Sequence, residues 1–243
     1  MKDKASGDAV DLWSVRVPAS LERSTRKRLT DLLDEAEVAR MRRFRRPKDR
    51  DHYLVAHALC RTALSAVDET VRPSQWRFEV DSFGKPHLAT SSDLRPICFN
   101  LSHACGICVV VVGSMPELGV DVEFLERKVD RLSVARHSFA PAELRDVERL
   151  RGTEQRDQFF RYWTLKEAYI KARGLGMRIP LQDFAFDLEA QPVSISFVDG
   201  FGDMPSGWHF VEYMPAPLHR TAVALRSISP WVLHTHSLAI EEL

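Results

Sequence analysis

The chain lacks any uninterrupted apolar run near the roughly 18 residues that cross a bilayer, and its opening stretch, "MKDKASGDAVDLW", has no apolar signal core. A membrane-embedded protein is therefore not expected, and the chain reads as cytoplasmic. Charge excess is also missing. Lys plus Arg number 34 and Asp plus Glu number 34, so net charge implies no polyanionic partner. Cysteine is scarce, with four residues (Cys60, Cys98, Cys105, Cys108) in 243, and in a cytoplasmic setting these are expected to be reduced. Low-complexity segments are absent. What remains is ordinary for a folded chain: 44% hydrophobic and 28% charged residues, enough for one large domain or two small ones with a real core.

Periodicity divides the chain. The stretch 21–44 has mixed three- and four-residue apolar spacing and predicts a helix over most of its length, broken by Pro47. Residues 51–67 predict a second, strongly apolar helix. "WRFEV" alternates like a strand, "FGKPHL" (83–88) is a glycine–proline turn, and "ICFNLSH" (97–103) and "ICVVVVG" (107–113) predict a hairpin turning near 104–106. A turn-rich connection at 113–119 leads to the strand "VDVEF". A long helical region over 130–173, broken near Pro141 and 151–152, ends at Gly174, a favourable C-terminal cap. "FAFDL", "VSISFV", "WHFVEY" and "TAVALRS" read as strands. Each half runs from a helix with aromatic and basic residues through a glycine/proline turn to an apolar hairpin. This predicts an α+β protein of two related lobes, 1–113 and 119–243.

The stretch "GVDVEFLE" (119–126) concentrates the chemistry. In a strand, Asp121 and Glu123 share a face while Val120, Val122 and Phe124 face the core. Two adjacent carboxylates repel, and shielding them from water costs energy. A hard divalent cation such as Mg²⁺ relieves both effects and commonly shares its shell with phosphates. Two exposed acids on an edge strand are the alternative. In "WTLKEAYIKARGLG", Glu167 stands on a helix face with Phe160, Trp163 and Ile170. It reads either as half of a surface ion pair with Lys171, worth ~0.3–0.5 kcal/mol, or as a third metal ligand or general base. Lys166 is expected near any phosphate bound there.

Three further features carry weaker chemistry. Ser102 and His103 in "NLSHACG" sit where a strand meets a turn and can donate to a phosphate; a histidine satisfied by backbone carbonyls is the alternative. As strand neighbours they point to opposite faces, which disfavours a nucleophile–base dyad. Between residues 40 and 50 lie seven arginine and lysine side chains, suited to phosphates or an acidic protein, or simply a solvated face. With Phe44 the one interleaved aromatic, a nucleic-acid site is not expected. Cys98, His103, Cys105 and Cys108 are too tightly spaced, in too apolar a setting, for a usual zinc site.

"GVDVE", "WTLKEAYIKARGLG" and "FNLSHACG" resemble the signature blocks of Sfp-type 4′-phosphopantetheinyl transferases. "RRFRRPKDRDHYLVAHALCR" and "FGKPHL" resemble two upstream blocks. The resemblance spans about residues 37–190, and the chain length suits the two-lobed, monomeric branch rather than the short trimeric one. It implies a pseudo-dimer of two lobes, each a small antiparallel sheet packed against a long helix. It also implies transfer of phosphopantetheine from coenzyme A to a serine of an apo acyl or peptidyl carrier protein, with release of adenosine 3′,5′-bisphosphate. It leaves open whether the carrier serves fatty-acid, polyketide or nonribosomal peptide assembly. Asp121, Glu123 and Glu167 would hold Mg²⁺ on the pyrophosphate, and Lys166 and Lys171 match the two lysines of the W-x-x-K-E-x-x-x-K block. Ser102 and His103 would contact the 3′-phosphate, Lys85 and Pro86 the phosphates and adenine, and Arg40 a phosphate. The chain departs from the family at His52, where an arginine usually binds the 3′-phosphate; either His52, Arg50 or another arginine of the cluster replaces it, or coenzyme A is bound less tightly.

On this reading Mg²⁺ and Lys166 offset charge on the pyrophosphate, and Glu167, directly or through a metal-bound water, is the best candidate for the base that takes the carrier serine's proton, its base and ligand roles being left unseparated. Two other readings predict different outcomes. A non-catalytic module that binds coenzyme A or a carrier would leave carriers unmodified, and a Mg²⁺-dependent pyrophosphate hydrolase would split coenzyme A without a carrier.

Overall fold

An aspartate followed three residues later by a glutamate can start a helix, and Asp34 does so. Its carboxylate accepts from the Glu37 N–H at 2.9 Å, while the Glu37 carboxylate accepts from the Asp34 N–H at 3.0 Å. The single helix expected over 21–44 is therefore two. The following helix starts earlier than expected, at Pro47, because a proline in the first helical turn loses no hydrogen bond there.

This computed structural model describes residues 8–89 and 96–243; part of the N-terminal stretch read above, 1–7, lies outside them. In chain order the elements are β1 (Asp8–Arg16), α1 (Arg23–Thr30), α2 (Glu35–Arg42), α3 (Pro47–Val67), β2 (Phe78–Val80), β3 (Pro86–Leu88), β4 (Cys98–Ala104) and β5 (Ile107–Gly113). They continue with β6 (Leu118–Phe124), α4 (Arg131–Ser138), α5 (Pro141–Glu148), α6 (Gly152–Arg173), β7 (Phe184–Asp187), β8 (Ser194–Phe197), β9 (Trp208–Ala216), β10 (His219–Arg226) and β11 (Trp231–Leu238). The architecture is α+β, with small sheets against long helices.

The chain forms two compact units: Met1–Pro116 with Ser229–Leu243, and Glu117–Ile228. The break falls between Pro116 and Glu117, and the C-terminal residues Ser229–Leu243 group with the first unit. Strand β11 pairs in parallel with β1, Asp8 opposite Trp231 through Val15 opposite Leu238. The first sheet, ordered β11-β1-β5-β4, is therefore mixed rather than purely antiparallel. Neither β1 nor β11 carried a clean enough alternation to be read from sequence, and their pairing spans most of the chain.

In the first unit the valine run of β5 occupies the centre of the sheet, buried on both faces. Helix α3 packs on it, and its Leu54, Val55, Leu59, Ala63 and Leu64 share the core of this unit with the β5 residues Cys108, Val110 and Val112. Arg61, fully buried on that helix, donates to Glu37, Asp34 and the carbonyls of Pro73 and Trp76. In the second unit α6 lies on the antiparallel sheet β6-β10-β9. Its aromatic residues Phe159, Phe160, Tyr162 and Tyr169 pack with Phe139, Phe184 and Trp208. Burying each such ring fully contributes on the order of 2–3 kcal/mol before entropy is counted. Gly174 ends the helix at φ 66°, in the left-handed region that only glycine enters without strain. Its N–H bonds the carbonyls of Ile170 and Lys171.

Candidate active site

The strand period places Gly119, Asp121 and Glu123 on one face of β6. A Cβ on Gly119 would lie 2.3 Å from both the Ala168 carbonyl oxygen and the Ala172 nitrogen. That face is therefore the one α6 covers, and it carries Gly119 because only a hydrogen fits. The expectation that Val120, Val122 and Phe124 would face the core and the acids would point away from it is corrected. Val120 and Val122 are buried, but so are Asp121 at 5% and Glu123 at 8% exposure, because their face is roofed by a helix. Gly119→Ala is expected to lose about 3 kcal/mol or more of stability, since the clash is with backbone and no rotamer relieves it. A urea-unfolding midpoint equal to the parent's would overturn this packing.

On α6 the residues Trp163, Glu167 and Lys171 recur every four positions and share a face. The two ends of this row grip the strand. The Trp163 indole Nε1 donates to Glu123 Oε1 at 2.9 Å, and Lys171 Nζ donates to Asp121 Oδ1 at 2.7 Å. Glu167 lies midway along the row, and the charges of both acids act on it. Arg127, one turn beyond the strand, adds a second bond to Glu123 Oε1 at 2.7 Å. The structure thus gathers Asp121, Glu123, Glu167 and Lys171 in one place. Sequence reading missed Gly119 and Arg127 in this constellation, and treated Trp163 as apolar filling.

Crowding three carboxylates under a helix has an electrostatic consequence. Burial, then the negative charge of Asp121, push the Glu167 carboxyl up to about 7; Glu123 adds to the rise, while Lys171 and Arg127 oppose it. Burial and Asp121 likewise raise Glu123, against Arg127 and the Trp163 N–H.

Lys166 does not belong to this group, and its expected place beside a phosphate is corrected. One residue along an α-helix turns the side chain by about 100°, away from the acids. It is fully buried, and its Nζ donates to the carbonyls of Leu181 and Phe184, each at 2.7 Å, and to Glu143 Oε2 at 2.8 Å. Glu143, also fully buried, accepts in addition from the N–H groups of Ala140 and Phe186. Burial lowers the lysine's pKa and raises the glutamate's, each opposed by the other's charge.

The candidates of the first unit stand on α2, α3, β4 and the β2–β3 turn. Ser102 is buried and His103 exposed on β4, on the opposite faces expected of neighbours. The His103 ring stacks over His52, 6.0 Å between centroids. His52 does not serve as the missing cation: its Nε2 accepts the Gly106 N–H at 3.1 Å, and burial and Lys48 lower its pKa. It braces the β4–β5 turn, and Lys48 reaches Cys105 Sγ in the same turn at 3.1 Å. Arg40 is exposed in the last turn of α2. Lys85 and Pro86 lie at the β2–β3 turn, whose shape comes from the Asp81 carboxylate accepting the N–H groups of Phe83 and Lys85.

Among the described residues no group of three or more His, Cys, Asp or Glu side chains is placed so that it could hold a metal ion. The donor set nevertheless suits a magnesium ion, which binds through one or two carboxylates together with waters and substrate phosphates rather than in an all-protein cage. Asp121, Glu123 and Glu167 offer hard oxygens only, and burial followed by the charge of the strand acids raises the Glu167 carboxyl to about 7.

The fold and site define a two-unit α+β protein with an acidic centre between strand and helix in the second unit. A family model described as the 4′-phosphopantetheinyl transferase superfamily matches residues 117–223, and one described as the N-terminal part of 4′-phosphopantetheinyl transferase matches 22–115. The 4′-phosphopantetheinyl transferase HetI of Nostoc sp. is 31% identical over 223 residues, covering 84% of this chain and 93% of that protein. A 4′-phosphopantetheinyl transferase of Bacillus subtilis is 30% identical, covering 78% of this chain and 82% of that protein. For Sfp of Bacillus subtilis strain 168 the identity is 28%, over 77% and 81%. The chain belongs to the 4′-phosphopantetheinyl transferase family, enzymes that use coenzyme A and transfer its phosphopantetheine arm to carrier proteins. Among the described residues no helix is long and apolar enough to cross a membrane.

Proposed function

We propose that the transfer depends on Mg²⁺ held by Asp121, Glu123 and Glu167, with Glu167 also acting as general base. The observation that carries this reading is the helix row Trp163, Glu167 and Lys171, whose two ends bond Glu123 and Asp121 and so set Glu167 over the strand acids. A general base has to stand within reach of the proton it takes.

In the reaction the hydroxyl oxygen of the carrier serine forms a bond to the β-phosphorus of coenzyme A. The bond from that phosphorus to the bridging oxygen breaks, and adenosine 3′,5′-bisphosphate leaves with the electron pair. The serine proton passes to Glu167. When bound, Mg²⁺ supplies charge neutralisation at the pyrophosphate oxygens. Lys171, extended from the same helix row and bonded here to Asp121, would offer its remaining donors to a phosphate oxygen. In the first unit His103, Ser102, Arg40, Lys85 and Pro86 are the proposed nucleotide contacts. The exposed cations Lys48 and Arg50 take the part that His52, as a neutral acceptor, does not.

Mass spectrometry tests the reading. Incubation with coenzyme A, Mg²⁺ and an apo acyl or peptidyl carrier is expected to add the mass of one phosphopantetheine arm, EDTA to abolish the addition, and excess Mg²⁺ to restore it. A full rate in EDTA would overturn the metal assignment; coenzyme A split without a carrier would favour hydrolysis. We further infer that the chain acts as a monomer, which light scattering after size exclusion would check.

A further inference from the structure

We propose that Trp163 is a positioning residue: its indole N–H fixes Glu123 by one oxygen and so presents the other to the ion. The proposal rests on the Mg²⁺ reading above and assigns to this side chain a role beyond packing.

A glutamate on a strand has three rotatable bonds, and an ion site gains from having them fixed beforehand. Here both donors take the same oxygen. Trp163 Nε1 lies 2.9 Å and an Arg127 terminal nitrogen 2.7 Å from Glu123 Oε1, and neither bonds Oε2. The donors differ in rigidity. Arg127 is half exposed, at 50% of its side-chain area, so its hold is weakened by water and by side-chain entropy. Trp163 has two side-chain torsions, stacks on Phe159 with rings 9° from parallel, and sits on the helix that covers the acids. Its N–H can only donate, so it holds a carboxylate and does not compete for a cation. Were packing its whole task, a phenylalanine would serve as well. The N–H is the part that packing does not explain.

The test removes that one donor. Binding of Mn²⁺ alone, an oxygen-seeking substitute, is followed by the loss of its free-ion electron paramagnetic resonance signal, with the full chain and no coenzyme A. Trp163→Phe is expected to weaken Mn²⁺ binding about tenfold and to raise the Mg²⁺ needed for half-maximal transfer by a similar factor, the range for lost outer-shell partners. At saturating Mg²⁺, kcat should stay within about threefold. Should Trp163→Phe fold poorly, benzothienylalanine at position 163 keeps the bicyclic shape without the N–H, and the same shifts are expected. Unchanged Mn²⁺ binding in both variants, or a fall in kcat with unaltered Mg²⁺ dependence, would overturn the positioning role. A parent protein that binds no Mn²⁺, and is indifferent to Glu123→Gln, would instead overturn the ion reading on which the role rests.

Discussion

Glu167→Gln is expected to lower carrier modification by about 10²–10⁴-fold, the usual contribution of a general base, while leaving the metal-free protein more stable than its parent at pH 8. The sign follows from linkage. The folded-state value is raised from 4.5 to about 7, so the native protein keeps this proton over a range where the unfolded chain has lost it. The native state is favoured below pH 4.5, and that advantage is lost as pH rises through 7, for a total on the order of 3 kcal/mol. A glutamine carries no such penalty. In EDTA at pH 8 its melting temperature should therefore exceed the parent's by several degrees, and the two should converge towards pH 5. Saturating Mg²⁺ should narrow or reverse the gap, because an ion that binds only the native parent stabilises only the parent. Calorimetry at the two pH values, with rates measured by mass spectrometry, provides the check. A variant that modifies its carrier at the normal rate, or melts with its parent at pH 8, would remove Glu167 from the centre of the site.

Lys166→Met is expected to be the most damaging single change to the fold, at about 3–5 kcal/mol, because it strands the fully buried Glu143 without its counter-ion. Three interactions disappear together, two to carbonyls and one to the carboxylate. The double variant Glu143→Gln/Lys166→Met should regain part of the loss, since no charge is then left buried. Urea unfolding of both variants measures the effect. The fraction that remains folded at low temperature should transfer phosphopantetheine within an order of magnitude of the parent rate. A stable Lys166→Met protein that has lost activity would return Lys166 to the active site.

The two lysines of one motif show how far the sequence could be read. "WTLKEAYIKARG" identifies Glu167 and Lys171 as members of one helix face, because four-residue spacing is local and the helix is long. Lys171 is accordingly found on Asp121, and Glu167, in the same row, feels the charge of both strand acids. Lys166 has the same chemistry and the same neighbours in sequence, yet turns towards α5 and β7, because its partner Glu143 and its carbonyls come from segments with no spacing relation to it. His52 was similarly ambiguous. Its residue type permits a phosphate contact, and only the Gly106 N–H opposite its Nε2 makes it a neutral acceptor.

By itself the sequence determined what periodicity and capping control: the helices α3 and α6, the β4–β5 hairpin, the shared face of Asp121 and Glu123, and the end of α6 at Gly174. These depend on interactions a few residues apart, which the order of side chains contains directly. The tertiary structure decided the rest. It brought β11 back to β1 across the whole chain, pressed α6 onto Gly119 so that the acids became buried, and chose one lysine for the site and its neighbour for the core. Those outcomes depend on which distant surfaces meet, and burial, with the charges it brings together, then raises Glu167 and Glu123.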